Sequence, residues 1–422
     1  MRAAAPSLVF LAGLCLTCEP VAAGQVVPAL VDRDLSVAAG ATLVNAAGEI
    51  AEQVEMRYVP SRLFEERGGS RRAANIAYRV ARLLFFDRPQ EEWLRVANHE
   101  VFGHGGRVRE LFGGFVQYHI DAPRPYGPGG GVTYFELTPE FTVHELQAVS
   151  VGGMEVNAVA AADIADRAFR ASRLSARTAL RYLGFQLDSF RYIQRTGDEP
   201  EPAGHDVSDF LQTYNATAEF AGTELITPRT LRRESYIGLA NPMLASALFS
   251  VGRYALTGNP DGPVFTLPVG SMRVMPWLAY RLAPYGTEWS ASADIGWARG
   301  AAQVSVTVGR APGETPWGVG ATMFGLALRD WRIDVELDGW RQPPLALGPL
   351  PDLGSALIGL PLEWGGRIRS RAENPLVGVW WSRSAATLIV EAELKSRGFI
   401  PGEPLDEGLV LRAGLGIPLW NR

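Results

Sequence analysis

Apolar positions along the first 257 residues recur at helical spacing. From Ala73, the residues Ile76, Val80, Leu83 and Leu84 share one face and predict a helix ending near Pro89. A second helix is predicted from about Gln90 through Trp93, Val96, Ala97 and Val101 to Leu111. Thr138 and Pro139 offer an N-cap and a first-turn proline for a third helix, which carries His144, Gly152, Gly153 and Glu155. Leu180, Leu183, Leu187 and Phe190 mark a fourth, and residues 205–220 and 241–254 read as further helix. The span from Ser235 to Gly252 carries no formal charge, but Pro242 interrupts it, and a membrane-spanning helix needs about twenty apolar residues. Residues 113–137 hold a Pro- and Gly-rich loop, in which Gly130–Phe135 reads as a plain surface turn first and as an edge strand second.

After about Gly258 the period becomes two. Val304, Val306 and Val308 alternate with Gln303, Ser305 and Thr307. Ile333, Val335 and Leu337 alternate with Asp334, Glu336 and Asp338, and Leu388, Val390 and Leu394 with Ile389, Glu391 and Lys395. The pattern predicts about eight antiparallel strands closing into a β-barrel over residues 258–422, after a mainly helical domain over 24–257. The fold class is therefore α+β and multidomain. Alternation alone does not say whether the apolar face meets lipid or a core. Every tryptophan except Trp93 lies in the second half, the distribution that membrane interfaces favour, and this predicts an outer-membrane barrel with lipid as its partner.

Composition adds an address. Arg2, the apolar run Leu8 to Leu16 and the small residues up to Ala23 predict a signal peptide over residues 1–23. Both cysteines, Cys15 and Cys18, fall inside it, so the exported chain has neither disulfide nor thiolate ligand, which suits a bacterial envelope with a periplasm-exposed helical domain. A net charge of -5 gives no reason to expect a nucleic-acid partner.

The chemistry is concentrated in Asn98-His99-Glu100-Val101-Phe102-Gly103-His104-Gly105. Imidazoles are common metal ligands, and the usual zinc-hydrolase helix spells H-E-x-x-H with the rings at i and i+4. Here His99 and His104 are i and i+5, which on a regular helix sets them about 140° apart. Two readings follow: either a π-type bulge, eased by Gly103, brings both histidines to one side, or Glu100 and His104 act as the pair. His144 and Glu155 stand eleven residues apart and lie within about 20° of one another on an unbroken helix. The adjacent Gly152 and Gly153 suggest close packing against the H-E helix.

The stretch His99 to His104 resembles the H-E-L-L-G-H motif of the dipeptidyl peptidase III family of zinc peptidases. That resemblance implies Zn²⁺ held by His99, His104 and a downstream glutamate, here Glu155, with water in the fourth position and Glu100 as general base. His144 is expected to stabilise the oxyanion or to act as an alternative ligand, whereas His119 and His205 are expected to be structural. The implied activity is a zinc-dependent hydrolase acting on a peptide or protein. The other reading is a non-catalytic envelope barrel with a helical binding or packing domain.

Overall fold

The computed structural model describes residues 26–58, 70–136, 141–199, 204–348, 362–376 and 386–418. The expected signal segment with Cys15 and Cys18, the predicted helix start at Thr138 and Pro139, and Trp380, Trp381 and Trp420 lie outside the described residues. After a first strand, β1 (Val26–Val31), comes α1 (Val37–Tyr58). A long helical run follows: α2 (Ser70–Arg82), a first π turn (Leu83–Asp87), α3 (Arg88–Ala97), a second π turn (Asn98–His104) and α4 (Gly105–Phe112). A hairpin of β2 (Val116–Ile120) and β3 (Gly131–Phe135) leads to the central helix α5 (Val143–Ala171). Then come β4 (Arg173–Ser175), α6 (Ala176–Gln186), α7 (Asp188–Arg195), α8 (Asp206–Phe220), α9 (Pro228–Ser235), a 3-10 turn (Tyr236–Leu239), α10 (Pro242–Thr257) and β5 (Asp261–Pro263).

Two boundaries differ from the sequence expectation for local reasons. Pro89 does not end the first helix. It sits in the first turn of α3, where its missing N–H costs little, and the preceding residues widen into a π turn. The Phe85 carbonyl, four residues before the proline, instead accepts a hydrogen bond from the Tyr126 hydroxyl. The central helix begins at Val143, not at Thr138. Thr142 caps it through a reciprocal pair with Glu145, Glu145 N donating to Thr142 Oγ1 at 3.1 Å and Thr142 N to Glu145 Oε2 at 2.7 Å.

The second half forms one antiparallel meander: β6 (Leu267–Val269), β7 (Met272–Ala283), β8 (Gly286–Trp297), β9 (Gly300–Arg310), β10 (Trp317–Leu328), β11 (Trp331–Gln342), β12 (Glu363–Pro375), β13 (Thr387–Lys395) and β14 (Gly408–Pro418). The sheet has ten strands rather than about eight, because β1 from the helical half pairs with β14 and the short β6 extends the other edge. Among the described residues β1 and β6 do not pair, so the strands alone do not close a barrel. Helices pack near the two edges: α1 on the edge strand β1, and α9, the 3-10 turn and α10 on β7, next to the short edge strand β6.

The two faces of the sheet are opposite in character. One row of paired residues, Asp334, Arg371, Glu391 and Arg412 on β11 to β14, alternates in charge on the inner face. There Arg371 Nε donates to Glu391 Oε2 at 2.9 Å and Arg412 Nη1 to Glu391 Oε1 at 2.7 Å. The outward row on the same strands is Leu337, Ile368, Leu394 and Leu409, all exposed. Val304, Val306 and Val319 continue that exposed face across β9 and β10. At one end of it the register lines up Trp289, Val308, Trp317, Arg341 and Trp364 across five strands.

The helix α5 lies against the inner face. Its alanines and Ile164 pack with Val37 and Ala41 of α1, Tyr182 and Phe185 of α6, and Met243 and Ala247 of α10. Gln303 on β9 donates to Asp166 on α5 at 3.0 Å. Between them is a cavity of about 330 Å³ lined by the charged rungs of the sheet and by α5. Among the described residues α5 is the one helix long and apolar enough to cross a membrane, yet 78% of its most apolar window is buried, which marks it as a core helix.

Candidate metal centre

The second π turn answers the i+5 problem. Widening the helix over Asn98–His104 swings both imidazoles to one side, with ring centroids 4.9 Å apart and planes at 71°. Gly103 and Gly153 allow this, because the π turn and α5 touch backbone to backbone there. A Cβ on Gly103 would stand 2.6 Å from the Gly152 carbonyl oxygen, and one on Gly153 would fall into the His99 ring at Nε2. This is the close packing that the paired glycines suggested.

The two ε nitrogens face one carboxylate. His99 Nε2 is 3.0 Å from Asp206 Oδ2, and His104 Nε2 is 3.3 Å from Asp206 Oδ1. His99, His104 and Asp206 form a group whose ligand atoms all lie within 4.8 Å of one another. Tetrahedral zinc with nitrogen and oxygen ligands at about 2.0–2.1 Å separates them by about 3.3 Å, and the two nitrogen–carboxylate distances are close to that separation. The outer nitrogens are held as well. His99 Nδ1 is 3.0 Å from Asp188 Oδ2, and His104 Nδ1 donates to the Val149 carbonyl at 2.7 Å. A carboxylate on one ring and a backbone carbonyl on the other are the usual partners that fix the tautomer and orientation of metal-binding histidines. Asp188 is itself held by Asn157 Nδ2 at 2.8 Å and by an ion pair with Arg95, and Tyr192 stacks on His99 with centroids 4.9 Å apart.

Electrostatics follow from these contacts. Burial alone pushes both imidazoles down, but Tyr192 and Asp188 hold His99 well above the usual histidine range, and Asp206 holds His104 above it. Burial pushes Asp188 up, but Arg95 and His99 outweigh it and bring the carboxyl down to about 2; His104 and His99 likewise keep Asp206 well below the usual carboxylate range. The site is a concentrated pair of anions facing two rings.

Other expected residues lie elsewhere. Glu155 is not beside the histidines. It forms a buried ion pair with Arg107, whose Nε donates to Oε2 at 3.0 Å, and it accepts from Gly402 N at 2.7 Å, tying α5 to the β13–β14 loop. A fully buried guanidinium needs counterions, and Glu155 shares that part with Glu110, whose Oε2 accepts from Arg107 Nη1 at 2.6 Å. His144 is also away from the cluster: its Nδ1 accepts from Ala346 N at 2.9 Å. Glu100 is buried in the π turn and accepts from Thr133 Oγ1 at 2.8 Å, and β3 lies so close that a Cβ on Gly131 would be 2.7 Å from Glu100 Cγ. His119 is exposed beside Asp121, and His205 caps α8 by accepting from Ser208 N at 3.4 Å. Asp206 and Asp188 were not singled out in the sequence. They lie 107 and 89 residues beyond His99, in segments whose only local signal is an acidic residue at a helix start.

Gly153→Ala tests the packing directly. The added methyl displaces the His99 ring, so metal content should fall by more than the about 10–100-fold in affinity that loss of an outer hydrogen bond costs. Retention of one metal per chain in that variant would contradict the arrangement.

The chain matches no protein-family model, no curated protein and no solved structure.

Proposed function

We propose that this chain is a zinc-dependent hydrolase of the bacterial cell envelope, acting on peptides and seated in the outer membrane by its sheet. The observation that carries the reading is the convergence of His99 Nε2, His104 Nε2 and the Asp206 carboxylate, with Asp188 and the Val149 carbonyl on the outer nitrogens. Two imidazoles and one carboxylate leave one position of a tetrahedron open, as catalytic zinc sites do. A bound Zn²⁺ supplies Lewis acidity and lowers the pKa of a coordinated water to about 7. Glu100 is the base in this reading: its carboxylate is on the same π turn, steadied at one oxygen by Thr133. The resemblance to the dipeptidyl peptidase III motif extends to His99, Glu100 and His104, with Asp206 taking the part of the third ligand.

A peptide is favoured over other substrates by the neighbouring hairpin. Among the described residues β3 is paired on one side only, with β2, and Thr133 in its middle holds Glu100. An extended substrate adding to that free edge gains main-chain hydrogen bonds and is brought past the base. The test is metal analysis of the purified protein with hydrolysis of a fluorogenic peptide mixture. About one zinc per chain and loss of turnover with a chelator are expected; a protein that takes up no metal on reconstitution overturns the reading.

The membrane part rests on the reversed faces of the sheet. In a soluble sandwich the apolar face turns inward. Here the buried face carries the Asp334, Arg371, Glu391 and Arg412 row while Leu411 is 61% exposed, the arrangement of a transmembrane barrel. Strands of 9 to 13 residues from β7 to β14 suit a span of about 9–11 residues, and the tryptophan row suits an interface girdle. The protein is therefore expected to fractionate with outer membranes and to migrate differently with and without heating. Recovery in the soluble periplasmic fraction without detergent would reject the membrane seat while leaving the metal centre untouched.

A further inference from the structure

A sheet in lipid cannot leave an edge bare, because unpaired N–H and C=O groups have no water to bond. Among the described residues the strands do not close on themselves; α1 packs on the edge strand β1, and α9, the 3-10 turn and α10 pack on β7, whose pairing with β6 stops at Val274. We infer that the lipid-facing wall is completed by helix, and that the outward stripe of α10 lies in the hydrocarbon beside β6 and β7; this rests on the membrane reading above.

The sequence of α10 is mostly apolar, with Ser246, Ser250, Arg253 and Thr257 as its polar residues. Met243, Leu244, Ala247 and Tyr254 are buried against the fold, while Ala245, Leu248, Phe249 and Leu256 form a second stripe, at helical spacing, that is exposed. A helix with two apolar faces belongs in a core or a membrane, and among the described residues the outward face of this one is left largely uncovered: Leu248 is 62% exposed. The stripe is continuous with the outer face of the sheet. Phe249 meets Phe265 with ring centroids 5.5 Å apart, Phe265 N donates to Ser246 Oγ at 2.8 Å, and the chain then passes into β6, whose Leu267 and Val269 are exposed beside β7. The dimensions agree, since the 16 residues of α10 rise about 24 Å and the apolar band of a transmembrane barrel is about 25 Å tall. Beyond the C-terminal end of α10, Arg79 donates to the Ala255 and Leu256 carbonyls at 3.0 and 3.2 Å, closing a helix end that lipid would leave unsatisfied. Acyl chains are the cover that fits, because one curved surface runs from helix to strands without a break.

The test uses the full chain with Cys15 and Cys18 replaced by serine and one cysteine returned at a time: Leu248→Cys on α10, Val306→Cys on the outer face of β9, and Arg33→Cys on the exposed β1–α1 connection. Each is labelled with an environment-sensitive fluorophore and reconstituted into phosphatidylethanolamine/phosphatidylglycerol vesicles. Positions 248 and 306 should both emit to the blue and lose intensity to lipids spin-labelled on the acyl chain, while position 33 is quenched by iodide. Lipid quenching at 306 with iodide quenching at 248 overturns the helical wall and leaves the membrane seat standing. Iodide quenching at both overturns the membrane reading itself. Position 248 shielded from both quenchers, in a protein that sediments as a dimer, assigns the stripe to a second copy and also overturns the inference.

Discussion

Asp206→Ala will empty the metal centre while leaving the fold in place. Among the described residues Asp206 supplies the one carboxylate that both ε nitrogens face, at 3.0 and 3.3 Å, so in the proposed site its loss removes a charged ligand rather than an orienting partner. The drop in affinity should exceed the about 10–100-fold associated with outer-shell partners. Asp206 begins α8, where its charge on the helix N-terminus is worth about 0.3–1 kcal/mol, and it is also the anion beside two buried imidazoles, so the melting temperature should fall as well as the metal content. Glu155→Ala provides the contrast. It leaves the buried Arg107 with Glu110 as its remaining ion-pair partner, and breaking a buried pair costs up to about 3–5 kcal/mol, so that variant should melt at lower temperature and keep its metal for as long as it is folded. Zinc content by elemental analysis, read beside a thermal melt, separates the two. Metal retained in Asp206→Ala and lost from a folded Glu155→Ala would restore Glu155 as the ligand.

That contrast marks where sequence reading stopped. The H-E stretch stood out because both histidines and Glu100 lie within one π turn, and Gly103 gave the reason the spacing could work. The paired glycines placed α5 against that turn, and they put Glu155 on the right helix. Periodicity could not say which way Glu155 faced, because the group that claims it, Arg107, lies on another helix and shows no local sign of being buried. Asp206 follows a charged loop and reads locally as an ordinary acidic helix start; only the packing of α8 on α5 brings it to His99. In the sheet the alternation of β9, β11 and β13 was legible, since period two needs no partner to be seen. The strand β1 was not: its six residues lie among Ala- and Val-rich sequence, and its pairing with β14 joins opposite ends of the chain. Nor could alternation tell which face was outward. The burial of Glu391 and Arg412, with Arg371 half-buried beside them, on one side and the exposure of Leu394 and Leu409 on the other are properties of the folded sheet alone.

Glu100→Gln should produce the largest fall in rate with the least change in anything else. Glu100 is not among the residues that face one another at the centre, which are His99, His104 and Asp206, so zinc content should stay near one per chain. The glutamine has the same shape, and its carbonyl oxygen can still accept from Thr133 Oγ1, now 2.8 Å from the carboxylate, so the π turn and β3 keep their contact. A helix scarcely distinguishes glutamate from glutamine, and the melting temperature should hardly move. What the amide cannot do is take a proton. If Glu100 is the base, turnover drops by roughly the 10²–10⁴-fold that general-base loss brings, while KM for a peptide held along β3 changes little. Thr133→Val checks the positioning: it frees the carboxylate to wander and should lower kcat less than Glu100→Gln does, again with metal retained. A Glu100→Gln protein that hydrolyses peptide at the original rate would remove Glu100 from the mechanism, and one that loses zinc would make it a ligand, the outcome expected of a regular helix in which Glu100 and His104 share a face.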